Sequence, residues 1–279
     1  MSLPNLSHMM NVGQLRYIQS RFEAAENRNP DSAVGAFLSD RQRFACIVRG
    51  TFLLSRLRAN PFYHYLLART KYYDDIFLNA VSGSIRSIIN IGCGSDTRAY
   101  RFAQFLNQRR VTAIECDQPE SIQKKQQIAR RYWPTDHVTY ISLDLNDAKW
   151  ADLTRVLEEG RQEPVMVIME GVSPYINAKS FRAFLRDLAS RLHPDSVLAY
   201  DFKIAGAKNT FGCSAKVQHP FRLPAGRKEI VAYHDELGFR VEHMELSTEL
   251  SKRLLTGDSL SFDFDEDCLL QLTPSNRIS

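Results

Sequence analysis

The sequence predicts an α/β protein built on a doubly wound parallel sheet. Three observations support this prediction. Short apolar, β-branched runs begin at Ser87, they alternate with amphipathic stretches, and polar turn residues follow each run. Five strands that alternate with helices imply parallel pairing through right-handed crossovers. The 279 residues allow one large domain with additions or two small ones, since domains have roughly 100 to 200 residues.

Residues 1–83 are predicted to form a helical segment. In DRQRFACIVRGTFLLSRL, apolar residues recur near helical spacing at Phe44, Ile47, Val48, Phe52 and Leu54. A second helix begins with Asn60 as its N-cap and Pro61 at the first helical position, and it ends at Ser82-Gly83.

The sheet is predicted from seven runs of strand-like composition. They are SIINI, VTAIE, HVTYISL, PVMVIM, SVLAYDF, FRVEHMEL and SFDFDEDCLLQL. The helices between them are predicted over Thr97–Asn107, Gln118–Arg131, Lys149–Glu159, Ala178–Leu192 and Arg227–Leu237. Residues 203–227 are rich in Gly, Lys and Pro, and a loop of that length is typical of a lid or binding segment.

Composition excludes several classes of protein. With 36 Lys and Arg against 32 Asp and Glu, the net charge of +4 gives no indication of a nucleic-acid partner. The longest clearly apolar run is the five residues 165–169, so we expect no signal peptide, no membrane span and no membrane partner. Five cysteines without a CxxC pair indicate reduced thiols in the cytoplasm. The seven histidines show no metal-binding spacing.

The most informative segment is IINIGCGSDTR, where a buried strand runs into Gly92-Cys93-Gly94 and then a helix. Glycines at this place let the backbone approach a ligand closely beside a helix N-terminus. A dinucleotide site would have a third glycine at position 97, where this chain has Thr97, and a P-loop sequence is absent. The next strands therefore have to indicate which ligand the loop binds.

Acidic residues follow the next two strands. Glu115 and Asp117 end the second strand, where an acidic side chain accepts hydrogen bonds from the two hydroxyls of a ribose. Asp144 and Leu145 follow the third strand and are placed for an exocyclic amine and an apolar ring face. The alternative for Asp144 is a helix N-cap.

The fourth strand ends in MEGVSPY and brings Glu170 and Tyr175 to the centre of the same edge. A glycine loop followed by acids on three further strand ends is the layout of an S-adenosylmethionine (SAM) site. The sequence therefore predicts SAM as the cofactor.

The motifs ARTKYYDD, INIGCGSDTR, IECDQPESIQKK, LDLND and MEGVSPYI lie in this order between Ala68 and Phe202. Together they resemble the leucine carboxyl methyltransferase family, whose bacterial branch includes O-methyltransferases of polyketide and other small-molecule pathways. The resemblance implies a Rossmann-like sheet of seven strands with the last strand antiparallel. It also implies a helical cap over residues 1–83 that is not independent of the methyltransferase domain over residues 84–279.

The resemblance further implies roles for residues around the methionine portion of SAM. Arg69 would pair with the SAM carboxylate, and its planar fork suits that group. Lys71 lies two residues on and is the alternative cation. Glu170 would lie beside the methionine portion.

Around the adenosine portion, the resemblance implies that Gly92 and Gly94 shape the loop and that Asp117 binds the ribose. Asp144 and Leu145 would frame the adenine.

The acceptor is the least determined part. Gly171 and Pro174 depart from the protein-modifying eukaryotic members of the family and favour a small-molecule acceptor. The candidates for contacting it are Tyr175, Tyr200, His219 and His234. We expect Tyr175 to position the acceptor and His219 to act as the base where the acceptor is a hydroxyl, since a carboxylate needs none.

Three alternatives to a small-molecule O-methyltransferase stay open. They are a carboxyl methyltransferase of a protein C-terminus, a tRNA methyltransferase and a SAM-binding module without catalysis.

Overall fold

The computed structural model describes residues 10–147, 150–207, 217–256 and 265–275. Its α-helices are α1 (Val12–Phe22), α2 (Asp40–Phe52), α3 (Leu54–Arg58), α4 (Pro61–Ser82), α5 (Arg98–Arg101), α6 (Ala103–Arg109), α7 (Pro119–Tyr132), α8 (Ala151–Glu159), α9 (Ala178–Arg191), α10 (Arg227–Asp235) and α11 (Ser247–Leu254). Short 3₁₀ turns cover Ala25–Asn27, Ala33–Phe37 and Ser173–Tyr175. Within these ranges, no helix has the length and apolarity to cross a bilayer.

All strands within the described ranges join one sheet. They are β1 (Ser87–Ile91), β2 (Thr112–Asp117), β3 (Val138–Ser142), β4 (Val165–Met169), β5 (Val197–Ile204), β6 (Arg222–Leu223), β7 (Phe239–Leu246) and β8 (Asp267–Pro274). Their order is β3-β2-β1-β4-β5-β8-β7, with the two-residue β6 beside the end of β5. The strands β1 to β5 pair in parallel, and β8 runs antiparallel to both β5 and β7. The predicted fold class, including the reversed last strand, is confirmed.

Local signals account for the long helix α4. The Asn60 side chain accepts a hydrogen bond from the Phe62 backbone N–H, Pro61 occupies the first turn, and the helix ends at Gly83, as predicted. Other boundaries differ from the prediction. The helix predicted over 97–107 is interrupted at Phe102, and α11 was not predicted. Of the predicted elements, Lys149 and residues 261–264 lie outside the described residues.

The sheet packs helices on both faces, because alternate side chains of each strand point to opposite sides. One core joins α1 and α4 to a sheet face through residues that include Leu15, Tyr65, Leu66, Ile88, Met166 and Ile168. The other core joins α9 and α10 to the opposite face through residues that include Phe181, Leu188, Ile230, Ile89, Val167 and Leu198. The N-terminal helices thus share a core with the sheet.

Helix α2 forms where the apolar spacing predicts a helix, but its apolar side faces outward. Phe44, Ile47, Val48 and Phe52 are exposed, while Cys46 and Gly50 are buried on the opposite side. The inner side has no room for a larger side chain at Gly50, because the Phe22 ring lies against it and would collide with a Cβ atom there.

Candidate active site

A cavity of about 730 Å³ opens beyond the carboxyl ends of β1 to β4. Five of the predicted site residues line it: Gly92, Asp117, Asp144, Leu145 and Tyr175. They come from four different strand ends, and the parallel pairing of β1 to β4 brings those ends to one edge. Ligands of open α/β sheets bind in this crevice.

The glycine loop at the end of β1 requires its glycines. Gly92 has φ +67°, and a Cβ atom there would collide with the Val172 side chain. Gly94 has φ +37°, and its backbone N–H donates to Asp117 Oδ2 at 2.7 Å. Asp117 Oδ1 accepts from the Gln118 backbone N–H at 2.7 Å. Asp117 therefore orients the loop, and each carboxylate oxygen has a further lone pair for a ligand.

Glu115, the other acid of β2, forms an ion pair in the interior of the protein. Its side chain is buried, and Oε2 accepts from Lys125 Nζ at 2.5 Å. Lys125 also donates to the Cys93 carbonyl at 3.1 Å, so the pair braces the loop from beneath. Glu115 does not line the cavity described above.

Asp144 makes a local turn and does not cap a helix. Its Oδ1 accepts from the Asn146 backbone N–H at 2.9 Å, and its Oδ2 accepts from Gln118 Nε2 at 3.1 Å. The next helix, α8, begins only at Ala151. Leu145 is buried beside Asp144 and presents an apolar wall to the cavity.

A second cavity of about 150 Å³ shares Gly92 and Gly171 with the first. Its lining includes Arg69 and Glu170, both predicted from the sequence, and Arg16. The two cavities therefore meet at the glycine loop and the turn after β4.

Arg69 is buried and only partly satisfied by the described residues. Its Nη1 donates to Asp201 Oδ2 at 3.0 Å. Its Nε lies 3.2 Å from Glu170 Oε1 but makes no hydrogen bond among the described residues. Since a buried donor without a partner is costly, this atom and the adjoining cavity fit an anionic ligand group.

The alternative cation, Lys71, is placed elsewhere. Its Nζ donates to the main-chain carbonyls of Glu26 at 2.6 Å and Leu254 at 3.4 Å. It lines neither of the two cavities.

Arg16 on α1 is a site residue that the sequence reasoning missed. Its buried guanidinium contacts Glu170 Oε1 at 3.4 Å and Asp31 Oδ2 at 3.6 Å. The available signal was an arginine between Leu15 and Ile18, which are both fully buried. A charged residue on the apolar side of a helix is rarely buried without a partner.

Arg98 is the last residue of the glycine motif IINIGCGSDTR, and the sequence predicts no role for it. In the structure its side chain links several acids. Its buried side chain donates to Asp96 Oδ2 at 2.5 Å, to Glu170 Oε2 at 2.8 Å and to Asp74 Oδ1 at 2.8 Å. Burial alone would raise the pKa of Glu170, but Arg98, Arg16 and Arg69 outweigh it and lower that pKa. Glu170 is therefore held as an anion.

In the described ranges, no group of His, Cys, Asp or Glu is arranged to bind a metal.

The acceptor candidates separate into two pairs. Tyr175 lines the larger cavity and is 43% exposed. His219 is exposed but lines neither cavity; it has φ 51°, and its carbonyl accepts from the Ala178 backbone N–H. Tyr200 and His234 are buried and hydrogen-bonded to each other at 2.5 Å. Neither of these two lines a described cavity, so they belong to the core.

The fold has a clear counterpart among solved structures. The crystal structure of a "putative methyltransferase" from Thermobifida fusca YX matches with a TM-score of 0.59, covering 95% of this chain and 95% of that chain. The sequence identity is 9%, so the likeness concerns the fold alone.

Two relatives in sequence carry the name "Putative S-adenosyl-L-methionine-dependent methyltransferase". The protein from Parafrankia sp. (strain EAN1pec) is 30% identical over 141 residues, 49% of this chain and 44% of that protein. The protein from Mycobacteroides abscessus is 25% identical over 203 residues, 68% of this chain and 64% of that protein. The chain thus spans less than two thirds of the length of either relative.

The family profile described as leucine carboxyl methyltransferase matches residues 14–189. This range covers more than half of the chain and includes the glycine loop, both arginines of the smaller cavity, and the acids of β2 and β4. The protein belongs to the leucine carboxyl methyltransferase family.

Proposed function

We propose that the protein is a SAM-dependent O-methyltransferase that acts on a small molecule, of the polyketide or peptide type, at a carboxylate or hydroxyl oxygen. The observation that carries the proposal is the junction of two cavities at Gly92 and Gly171. One cavity has acids placed for a nucleoside, and the other has arginines placed for a carboxylate. SAM contains both groups in one molecule.

The adenosine portion would occupy the larger cavity. Asp117 would accept hydrogen bonds from the ribose hydroxyls while it keeps the Gly94 N–H in place. Asp144 would accept from the adenine amine, and the buried Leu145 would contact the ring face. These three residues, with Gly92 and Gly94, form the proposed cofactor site for this portion.

The methionine portion would occupy the smaller cavity. Arg69 Nε and the neighbouring Arg16 would bind the carboxylate, since guanidinium groups pair strongly with carboxylates. Glu170, kept ionised by three arginines, would accept from the amino group. The unused donor on Arg69 supports this assignment.

When bound, SAM supplies an activated methyl group for in-line displacement by the acceptor oxygen. The protein contributes alignment and a water-poor pocket. Tyr175, exposed to the larger cavity, would position the acceptor. His219 would take the proton of a hydroxyl acceptor, and a carboxylate acceptor would need no base.

We further propose that residues 1–83 act as a cap that depends on residues 84–279. Arg16 and Arg69, from the first part, line the same cavity as Glu170 from the second. The segment predicted as a loop over residues 203–227 includes the end of β5, the short strand β6 and the first residue of α10. The residues between β5 and β6 would act as the lid, and residues 208–216 lie outside the described residues. The buried, unpaired thiols of the four described cysteines support a cytoplasmic location.

Isothermal titration with SAM tests the cofactor site. We expect Asp117→Ala to weaken binding at least about tenfold, because a charge-assisted hydrogen bond contributes roughly 1.5–3 kcal/mol. Asp152→Ala, at an exposed acid on α8, is the matched control and should bind as the wild type does. Thermal unfolding of both variants shows whether Asp117→Ala is folded. Unchanged affinity in folded Asp117→Ala would refute the site.

Transfer of a labelled methyl group tests the reaction. The protein and labelled SAM are incubated with a panel of small carboxylic acids and phenols, and the products are treated with mild base. Methyl esters release methanol under these conditions and methyl ethers do not, so the treatment separates the two acceptor classes. Transfer to bulk tRNA or to a protein C-terminus would contradict the small-molecule proposal. SAM binding without transfer to any acceptor would favour a binding module.

A further inference from the structure

The exposed side of α2 carries an apolar stripe of the kind that helices normally bury in a core. No described residue covers this stripe. We call Phe44, Ile47, Val48 and Phe52 the apolar face. Their exposed fractions are 69%, 41%, 40% and 76%. Their spacing of three, one and four residues places them on one side of the helix. Most soluble helices turn such a stripe inward.

The orientation of α2 follows from its other side. Cys46 is fully buried and its thiol contacts the Gln14 carbonyl at 3.8 Å. Gly50 leaves room for the Phe22 ring. Rotating α2 to bury the apolar face would expose Cys46 and place bulky residues where Phe22 now packs. The outward direction of the apolar face is therefore part of the packing.

The apolar face is surrounded by positive charge. Residues 40–58 contain five arginines and one acid, Asp40, so this segment has an excess of four positive charges, equal to the net charge of the whole chain. Two of the arginines have partners, since Arg43 pairs with Asp40 and Arg58 with Glu23. The remaining three make no ion pair with a described residue: Arg41, Arg49 and Arg56.

The end of α7 extends this surface. Tyr132 is 43% exposed and interacts with Arg43. Arg130 and Arg131, in the last turn of α7, are also exposed. Tyrosine and arginine beside exposed phenylalanine are the residues that proteins place at a lipid headgroup boundary.

We propose that α2, α3 and the end of α7 dock on an anionic phospholipid surface. The apolar face enters the boundary between headgroups and acyl chains, and the arginines pair with lipid phosphates, as in interfacial amphipathic helices. This peripheral contact needs no membrane span, and it revises the expectation of no membrane partner. The inference goes beyond the proposed function and does not depend on it.

The charge pattern argues against two other occupants. A second copy of the chain in a two-fold interface would bring the same arginines together, and like charges repel. A nucleic acid would use the arginines, but Ile47 and Val48 offer no hydrogen bond to phosphate and no stacking surface. A bilayer uses both the charge and the aliphatic side chains.

Vesicle flotation with the full-length protein tests the proposal. Vesicles of phosphatidylcholine alone are compared with vesicles that also contain phosphatidylglycerol. We expect binding to the anionic vesicles, weakened by added salt because the surface charges are screened. The double variant Phe44→Ser/Phe52→Ser should lower the bound fraction at least about tenfold, and Phe44→Leu/Phe52→Leu should largely restore it.

A charge-matched pair of variants tests the arginines. Arg41→Glu/Arg49→Glu/Arg56→Glu should abolish binding to anionic vesicles. Arg155→Glu/Arg182→Glu/Arg240→Glu, at solvent-accessible arginines elsewhere, changes the net charge equally and should bind as the wild type does. Equal loss in both triple variants would show general attraction and overturn the docking site.

Three further results would overturn the proposal. The first is no flotation of the wild type with anionic vesicles. The second is a dimer in light scattering that Phe44→Ser/Phe52→Ser converts to a monomer, which would assign the apolar face to a second copy. The third is retention of tRNA at physiological salt that the arginine variant abolishes. Unfolding curves of each variant confirm that the chain is folded.

Discussion

Arg69 on α4 donates from Nη1 to Oδ2 of Asp201 on β5 at 3.0 Å, and this pair joins the N-terminal helices to the sheet. Asp201 also accepts from the hydroxyls of Tyr65 and Tyr73 and from the Gly171 backbone N–H. The pair is buried. Asp201 therefore fixes both Arg69 and the turn after β4, which both line the smaller cavity.

Replacing Asp201 should destabilise the whole protein. Asp201→Ala removes the acceptor of four hydrogen bonds and leaves the Arg69 charge without its nearest acid. Breaking a buried ion pair in this way costs about 3–5 kcal/mol, which urea unfolding at neutral pH measures. Asp152→Ala, which breaks an exposed pair with Arg155, should cost less than about 1 kcal/mol. Equal costs in the two variants would refute the role of Asp201.

Gly171→Ala should impair binding of SAM through Arg69. Gly171 has φ +68°, and an added methyl would lie 3.2 Å from Arg69 Nη1, so the side chain would have to shift. Gly238→Ala is the matched control, since Gly238 has φ +88° and the added methyl would make only an ordinary contact, with Ala189 Cβ at 3.4 Å. Both variants carry similar backbone strain.

Isothermal titration should therefore show an affinity loss of about tenfold or more for Gly171→Ala and little change for Gly238→Ala. A similar loss in both variants would mean that strain, and not the contact with Arg69, decides the affinity.

Arg16→Met should weaken binding of SAM but not of methylthioadenosine, which lacks the amino-acid carboxylate. The reason is that Arg16 lines only the smaller of the two cavities. Loss of a guanidinium–carboxylate contact corresponds to roughly tenfold or more. Arg21→Met, at an exposed position of the same helix, is the control. Equal weakening of both ligands would place Arg16 outside the carboxylate site.

Folding stability should depend on the protonation of His234. Burial lowers the pKa of His234 to about 4, because the protonated ring would lose its hydration; the hydrogen bond to the Ile230 carbonyl and the charge of Asp235 act in the opposite direction and are outweighed. In the unfolded chain the His234 imidazole binds a proton near pH 6.5. The contribution of neutral His234 to the free energy of unfolding is therefore complete above that pH and is lost as the pH falls towards 4. The full loss is at most about 3 kcal/mol.

The comparison has to be made with His234→Gln. Burial raises the pKa of Asp267 to about 6, and its contribution changes in the opposite direction, falling as the pH rises through the same range. The difference in unfolding free energy between wild type and His234→Gln removes that effect. It should shrink between pH 6.5 and pH 4, and a constant difference would contradict the assignment of a neutral His234.

The strands and the residues at their ends were readable from the sequence because both are local. Apolar runs of five to seven residues predict β1 to β5, and parallel pairing then places Gly92, Asp117, Asp144 and Glu170 at one edge. The N-cap at Asn60 and the end of α4 at Gly83 are likewise set by neighbouring residues. Helix α11 was not predicted, although Glu249 in its first turn and Lys252 and Arg253 in its last turn are helix signals.

Choices between similar residues required the tertiary structure. Glu115 and Asp117 are two residues apart, and only the position of Lys125 turns Glu115 into an internal partner. Lys71 and Arg69 are also two residues apart, and the helix turn directs one to main-chain carbonyls and the other to Asp201. His234 is of a residue type that can act as a base, but it forms a hydrogen bond with Tyr200 in the core.

The sequence by itself determined the class of fold, the family and the edge of the sheet where the chemistry is expected, because these depend on periodicity and on short motifs. Only the tertiary structure decided that Arg16 joins Arg69 across 53 residues of chain, and that the apolar side of α2 faces outward. The physical reason is the same in both cases. A helical repeat indicates which residues lie on the same side of a helix. Packing against α1, α4 and the sheet decides whether that side faces a cavity, the core or solvent.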